Sequence, residues 1–403
     1  MKKVSHILRL PVAVLLLGLG MSSCNKDVPD AVPNTFPQPT GKSMADIINA
    51  DTSYSFLKAG LTRAGMLDLL GNPASVYTFI APKNSAFRLS GIPSVAVVNA
   101  LPLTLLVPAL QYHIIPGQVY SSLNITNAVP NNQLPTSLIF PAPNTNPLVR
   151  FTTFPSRRDN GVWVNNIPIV AADITASNGI MHNPLTLVMP PTRSLWDRIN
   201  TDTVSSNNKS LSYLRAAIIR ADSGQAPTSL ASLIYTLSYP PVNATIFAPT
   251  DSAFRSTLTL AVTAALMKQG MPQAQAFATA TALCATPAVF SNPALYAALP
   301  AQTVKGIVVY HLVLNRTFTN NIPVTATQIK TALNSAIPTH PGLTISSVFA
   351  GPFVGAATVK GLYNASAAKI YINPTPEPNG WSDQHYYNGV IHKIDQVLIP
   401  LPL

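Results

Sequence analysis

The chain has 403 residues, 47% hydrophobic and only 10% charged, with 38 prolines, two cysteines and a formal net charge of +11. Removing Lys2, Lys3 and Arg9, which sit in the leader described below, leaves 22 basic and 14 acidic residues, a net of +8. These are scattered, with Arg157-Arg158 the one adjacent basic pair, so the concentrated stripe that nucleic-acid binding needs is missing and only a mild attraction to anionic polysaccharide or lipid headgroups is left.

The first predicted element is a leader, residues 1–23. Met1-Lys2-Lys3 to Arg9 is cationic, Leu10 to Leu19 is apolar but too short to span a bilayer, and Met21-Ser22-Ser23 places small residues before Cys24. The pattern resembles a bacterial lipoprotein signal. That resemblance implies lipid on Cys24, membrane attachment through that lipid (palmitate among the acyl chains), and a place in the cell envelope at the outer membrane. Lys26-Asp27 resembles the short tag of lipoproteins displayed at the cell surface. The alternative is an ordinary secretory signal with an incidental cysteine. Residues 24–42 hold Pro29, Pro33, Pro37 and Pro39 and read as an extended tether, too polar to bury a core.

A first domain is expected over 43–190. Ser43 can cap a helix carrying Met44, Ile47 and Ile48, and a second helix carries Phe56, Leu57, Leu61 and Ala64. Val76 to Ala81 reads as a buried strand stopped by Pro82, and Val107 to His113 as an apolar helix. Pro116-Gly117 forms a turn before a strand starting at Val119-Tyr120. Leu148–Phe154 and Val162–Ile169 read as a hairpin with Arg157 to Gly161 in its loop; Asn178-Gly179 then turns into a closing strand that runs to Met189.

A second domain, 194–401, follows the same plan. Thr78 to Phe87 returns as Thr245 to Phe254, Tyr112-His113 as Tyr310-His311, and Asn178-Gly179-Ile180-Met181-His182 as Asn388-Gly389-Val390-Ile391-His392. Three matches in one order point to a duplicated domain, each copy long enough to bury its own core. Two insertions distinguish the second copy: about 258–299, rich in Ala, Thr and Met and expected to be helical, and about 374–386, just before the last Asn-Gly turn.

An apolar strand into Ala-Pro followed by Ala-Phe, a central Tyr-His and a closing Asn-Gly-x-x-His resemble the fasciclin domain family, in both copies. The resemblance implies an α+β fold: two tandem fasciclin-like domains, each a small β-sandwich or wedge wrapped by helices. It also implies extracellular adhesion without enzyme activity. Copy two departs from the pattern where Leu314-Asn315 replaces the Pro-Gly turn, and copy one where His182-Asn183-Pro184-Leu185 lacks the Ile394-Asp395 of the other.

The residues offer little chemistry. Tyr112, His113, Tyr310, His311, His182 and His392 read as structural motif positions, an imidazole donating to a carbonyl and a ring packing in the core. No histidine pair has helical zinc spacing, and Cys284 is the one cysteine left beside the lipid-bearing one, so no metal, cofactor or internal disulfide is expected. Glu377 is the sole glutamate, the aspartates are dispersed, and no nucleophile elbow or phosphate loop is present, so no catalytic residue is nominated. The candidate binding residues are Trp381, His385, Tyr386 and Tyr387, aromatic side chains beside Asn379 and Asp383 in the second insertion. They suit stacking on a glycan or contact with a protein partner, unless the loop folds back over its own core.

Overall fold

The computed structural model describes residues 41–126, 132–140, 146–158, 161–202, 210–376 and 379–402. The leader, Cys24 and all but the end of the tether lie outside them. Residues from Gly41 onward form one compact unit, built from two like-organised α+β halves.

The first half is organised on a six-stranded sheet ordered β2-β1-β8-β7-β6-β5. Its strands are Tyr77–Ile80 (β1), Ile114–Pro116 (β2), Pro155–Arg158 (β5), Gly161–Val164 (β6), Ile167–Ala176 (β7) and Gly179–Pro184 (β8), with Leu134–Ile139 (β3) and Arg150–Thr153 (β4) paired separately. All four residues of β1 are buried, as suits a central strand covered on both faces. Helices Met44–Ala50, Ser55–Arg63 and Leu103–Tyr112 cover one face around Ile48, Leu57, Leu61, Phe79 and Leu110. The β3–β4 ribbon closes the other over Ile80, Tyr112, Ile115, Leu138 and Phe151.

The Asn-Gly motif explains how the two ends of the first half meet. β8 runs parallel to β1, with Gly179 opposite Tyr77, and a Cβ on Gly179 would lie 1.9 Å from the Tyr77 carbonyl oxygen. Only glycine fits so close a backbone. Asn178 beside it accepts from the Met44 amide (3.0 Å) and donates to the Leu70 carbonyl (2.7 Å), fastening the capped first helix to the sheet. Ser43 forms that cap, reciprocally with Asp46.

The second half repeats these devices. Its sheet is ordered β10-β9-β16-β14-β13-β12-β11, with β15 beside β16. The strands are Ala244–Pro249 (β9), Leu312–Val313 (β10), Thr327–Ile329 (β11), Leu343–Ala350 (β12), Phe353–Lys360 (β13), Ala368–Ile370 (β14), Gln384–Tyr386 (β15) and Gly389–Ile394 (β16). β16 is parallel to β9 with Gly389 opposite Ala244. Asn388 accepts from the Leu195 amide (2.9 Å) and donates to the Leu237 carbonyl (2.8 Å), while Ser194 and Asp197 rebuild the capping box. The first insertion is helical: Asp251–Lys268 runs on from the motif helix and Gln273–Leu283 packs against it. They and the segment after them bring Val262, Ala280, Cys284, Phe290 and Leu299 into the helical core. The Cys284 thiol is fully buried, and burial pushes its pKa up.

Several sequence boundaries move. Arg157 and Arg158 lie in β5, so the hairpin is β5–β6 and β4 turns away to pair with β3. Burial runs unbroken from Thr153 to Ser156, so alternation does not separate β4 from β5. Val119-Tyr120 is not a strand, because Tyr120 is held instead by the Thr78 hydroxyl (2.8 Å). The closing strand stops at Pro184, and the apolar helix begins at Leu103, accommodating Pro108 within it.

Candidate functional site: the cleft between the two domains

The motif histidines are spent on the scaffold. In His113 the Nδ1–H donates to the Ala109 carbonyl (2.7 Å) and Nε2 accepts from the Val188 amide (3.1 Å). His311 repeats this with Ile307 (2.8 Å) and Leu398 (2.8 Å). A carbonyl can only accept and an amide can only donate, so each ring is fixed as one neutral tautomer. Burial pushes both down to about 4. His182 donates from Nε2 to the Tyr120 carbonyl (2.9 Å) and accepts at Nδ1 from the Asp173 amide (3.2 Å). His392 does the same with Thr317 (2.8 Å) and Asp383 (3.1 Å). The tyrosines end on carbonyls, Tyr112 on Thr152 (3.0 Å) and Tyr310 on Gly342 (2.6 Å). None of the six has a nitrogen or hydroxyl left to offer a substrate. Among the described residues no group of three His, Cys, Asp or Glu side chains could hold a metal ion.

The four candidate binding residues are not gathered on one exposed face. Tyr386 is buried in the helical core of the second domain. Trp381 is half-buried, edge-on to Tyr371 with centroids 6.0 Å apart. His385 and Tyr387 face the first domain, where sequence gave no reason to look.

The domain seam is built around Arg316. Its side chain is 4% exposed. Nε donates to Asn243 Oδ1 (2.8 Å), Nη2 to the Tyr387 carbonyl (2.9 Å), and Nη1 to His385 Nε2 (2.5 Å). The guanidinium lies 4.3 Å from the ring centroid of Phe154, in the other domain. Burial lowers the arginine to about 10, and burial with the neighbouring guanidinium holds His385 well below its ordinary value. Around this centre Phe154, Phe318 and Val390 form a small apolar cluster. Asn320 donates to Ser156 Oγ (2.9 Å) and the Asn165 carbonyl (3.2 Å), while Arg158 reaches the carbonyls of Asn320 (2.8 Å) and Asn321. Charge, amide and ring contacts together make the two domains one body rather than beads on a string.

Beside Arg316 the seam opens into a cleft of about 280 Å³. Phe140, Phe151 and Tyr387 make one wall, with Phe140 stacked on Phe151 at 4.7 Å and Tyr387 edge-on to Phe140 at 4.9 Å. Pro240 and Pro241 rim it, and Gln133, Arg150 and Asn243 add polar side chains to a lining that also includes the committed Arg316. An apolar wall with a few convergent polar groups is the usual make-up of a ligand site. Of the four candidate residues, Tyr387 lines this cleft. Arg316 was missed; its trace in the sequence is the departure at Leu314-Asn315, where copy two abandons the Pro-Gly turn.

Residues 52–190 match the model of the fasciclin domain. Transforming growth factor-beta-induced protein ig-h3 of Sus scrofa is 28% identical over 166 residues, which is 40% of this chain and 21% of that protein, so the chain spans about a fifth of that relative. The FAS1 domain pair of the insect cell adhesion molecule fasciclin I aligns over 88% of this chain and 95% of its own, with 16% identity and a TM-score of 0.33. Residues 52–190 thus carry a fasciclin domain, and the second half repeats its sheet order, helix caps and histidine contacts.

Proposed function

We propose that the protein is a non-enzymatic lipoprotein of the cell envelope. Cys24 carries the lipid that holds it to the outer membrane, facing outward, and its paired fasciclin domains act as an adhesion and binding module. The observation that supports this most is the commitment of every motif histidine and tyrosine to main-chain partners, which leaves the surface and the seam as the parts able to meet another molecule. Proteinase treatment of intact cells tests the placement. The folded unit is expected to be lost while periplasmic markers survive; a fully protected protein would place the anchor on the inner leaflet. Metabolic labelling with an alkyne fatty acid, lost in Cys24→Ala, tests the anchor itself.

The cleft favours a second reading, a glycan-binding accessory lipoprotein of a polysaccharide-uptake system. Aromatic walls with amide and guanidinium groups at their rim suit a sugar ring and its hydroxyls. Retention on immobilised polysaccharides, compared among the unaltered chain, Phe140→Ala, Tyr387→Ala and Trp381→Ala, decides between the two. Retention lost in the first two variants supports the cleft, loss confined to Trp381→Ala moves the site to the second insertion, and no retention by the unaltered chain removes the glycan reading.

A further inference from the structure

The contact that joins the two domains is heterologous: a turn of the second sits on a hairpin of the first. The turn is Thr319–Asn321, whose Asn320 is 2% exposed, and the hairpin is β5–β6, whose Ser156 is 1% exposed. Because the domains are duplicates, each also carries the half of this contact that the other uses.

The counterpart of the docked turn is Ser122–Asn124 in the first domain. Both turns are closed by the same devices. Asn124 caps back onto Ser121 as Asn321 does onto Phe318. An aspartate in the left-handed region accepts the first amide in each: Asp173 (φ 61°) from Ser122 at 2.8 Å, and Asp383 (φ 56°) from Thr319 at 2.7 Å. Leu123 therefore stands where Asn320 does, yet it is 82% exposed.

The counterpart of the receiving hairpin is β12–β13 in the second domain. Ser156 pairs with Trp163 across the first hairpin and Ser346 with Thr358 across the second. The Arg157 amide donates to the Thr126 carbonyl (3.2 Å) and the Ser347 amide to the Pro323 carbonyl (2.8 Å), which fixes the same register in both. Val348 then stands where Arg158 does, 63% exposed. The exchange is coupled. Within the chain, polar Asn320 and Arg158 sit at the contact; at the two open ends the positions hold apolar Leu123 and Val348.

We propose that copies of this chain associate head to tail, the Leu123 turn of one copy seating on the β12–β13 face around Val348 of the next. Leu123 and Val348 are both in solvent, although Phe349 beside Val348 rests against Trp163 of the first domain with centroids 6.1 Å apart, and a heterologous contact of this kind does not close on itself and extends into rows. The polar pair inside and the apolar pair outside keep the two kinds of contact from exchanging.

Sedimentation velocity of the full chain in a non-ionic detergent tests this. The contact is small, so the average mass should rise beyond a dimer across roughly 1–100 µM. Leu123→Asp and Val348→Asp should each remain monomeric, with an unchanged far-ultraviolet spectrum because both side chains lie in solvent. An equimolar mixture of the two should stop at a dimer, since it offers one intact turn and one intact face. A chain monomeric at every concentration, a variant that associates like the unaltered chain, or a mixture that forms no dimer overturns the proposal.

Discussion

Acid should unfold this protein through its buried imidazoles. His113 and His311 lie near 4 in the folded state because burial disfavours the cation, against about 6.5 in an unfolded chain. The folded pKa is depressed, so between those values the unfolded chain binds protons that the folded one refuses. The stability these rings contribute is complete above about pH 6.5 and falls as the pH drops towards 4. At roughly 1.4 kcal/mol per pKa unit, acidification to about pH 4.5 removes about 2–3 kcal/mol per ring, about 5 for the pair. Against a typical total of about 5–15 kcal/mol, the pair, one ring in each domain, accounts for a large share. His182 and His392 are lowered by burial too and add in the same sense. Asp46 and Asp51, held below the ordinary value by hydrogen bonds from Ser43 and Ser53, act only at lower pH and leave this window to histidine.

Urea unfolding at a series of pH values, followed by tryptophan fluorescence (Trp163 in the first domain, Trp196 in the second), measures the effect. His113→Gln and His311→Gln cannot take up the proton. Each should be less stable near neutrality by about 2 kcal/mol from its lost hydrogen bonds, and each should take up about one proton fewer on unfolding between about pH 4 and 6.5. Equal midpoints at about pH 7.5 and 4.5, or a doubly substituted chain that keeps the full slope, would falsify the assignment of neutral, main-chain-locked rings.

Four substitutions probe the scaffold and the seam. Gly179→Ala sets a methyl group 1.9 Å from the Tyr77 carbonyl oxygen; a loss of more than about 4 kcal/mol is expected by urea titration, whereas Gly224→Ala, with nothing near its added Cβ, should cost only the strain of its positive φ. Arg316→Ala removes the donor to Asn243, His385 and the Tyr387 carbonyl; about 3 kcal/mol should go, and calorimetry should show the single transition splitting as the domains separate. Asp202→Ala takes away the carboxylate shared by Lys393 (2.8 Å) and Arg198 (3.1 Å), all three buried; a loss of about 3–5 kcal/mol is expected by the same titration, well above that of the half-exposed Asp51–Lys83 pair in the first domain.

What the sequence made legible divides by the range of the cause. The strand before Ala-Pro, the helix caps, the Asn-Gly turns and the insertion helices are written in neighbouring residues, and their duplication multiplied the signal. The path of β4 and β5 was not, because alternation tells which residues share a face but not which of two sheets that face joins. The seam was less legible still. Tyr387, Arg316 and Phe154 are far apart in the chain, and their meeting depends on how two finished domains settle against each other. Aromatic side chains near an Asn-Gly turn allowed either an exposed platform or a loop folded over its own core, since nothing local reveals a neighbouring domain. Only the failure of one copy to match the other carried information about it: Arg316 follows the lost Pro-Gly turn, and Leu123 and Val348 are positions where the copies disagree in polarity. In a duplicated protein the shared residues specify the fold, and the mismatches between copies mark where each copy meets something different.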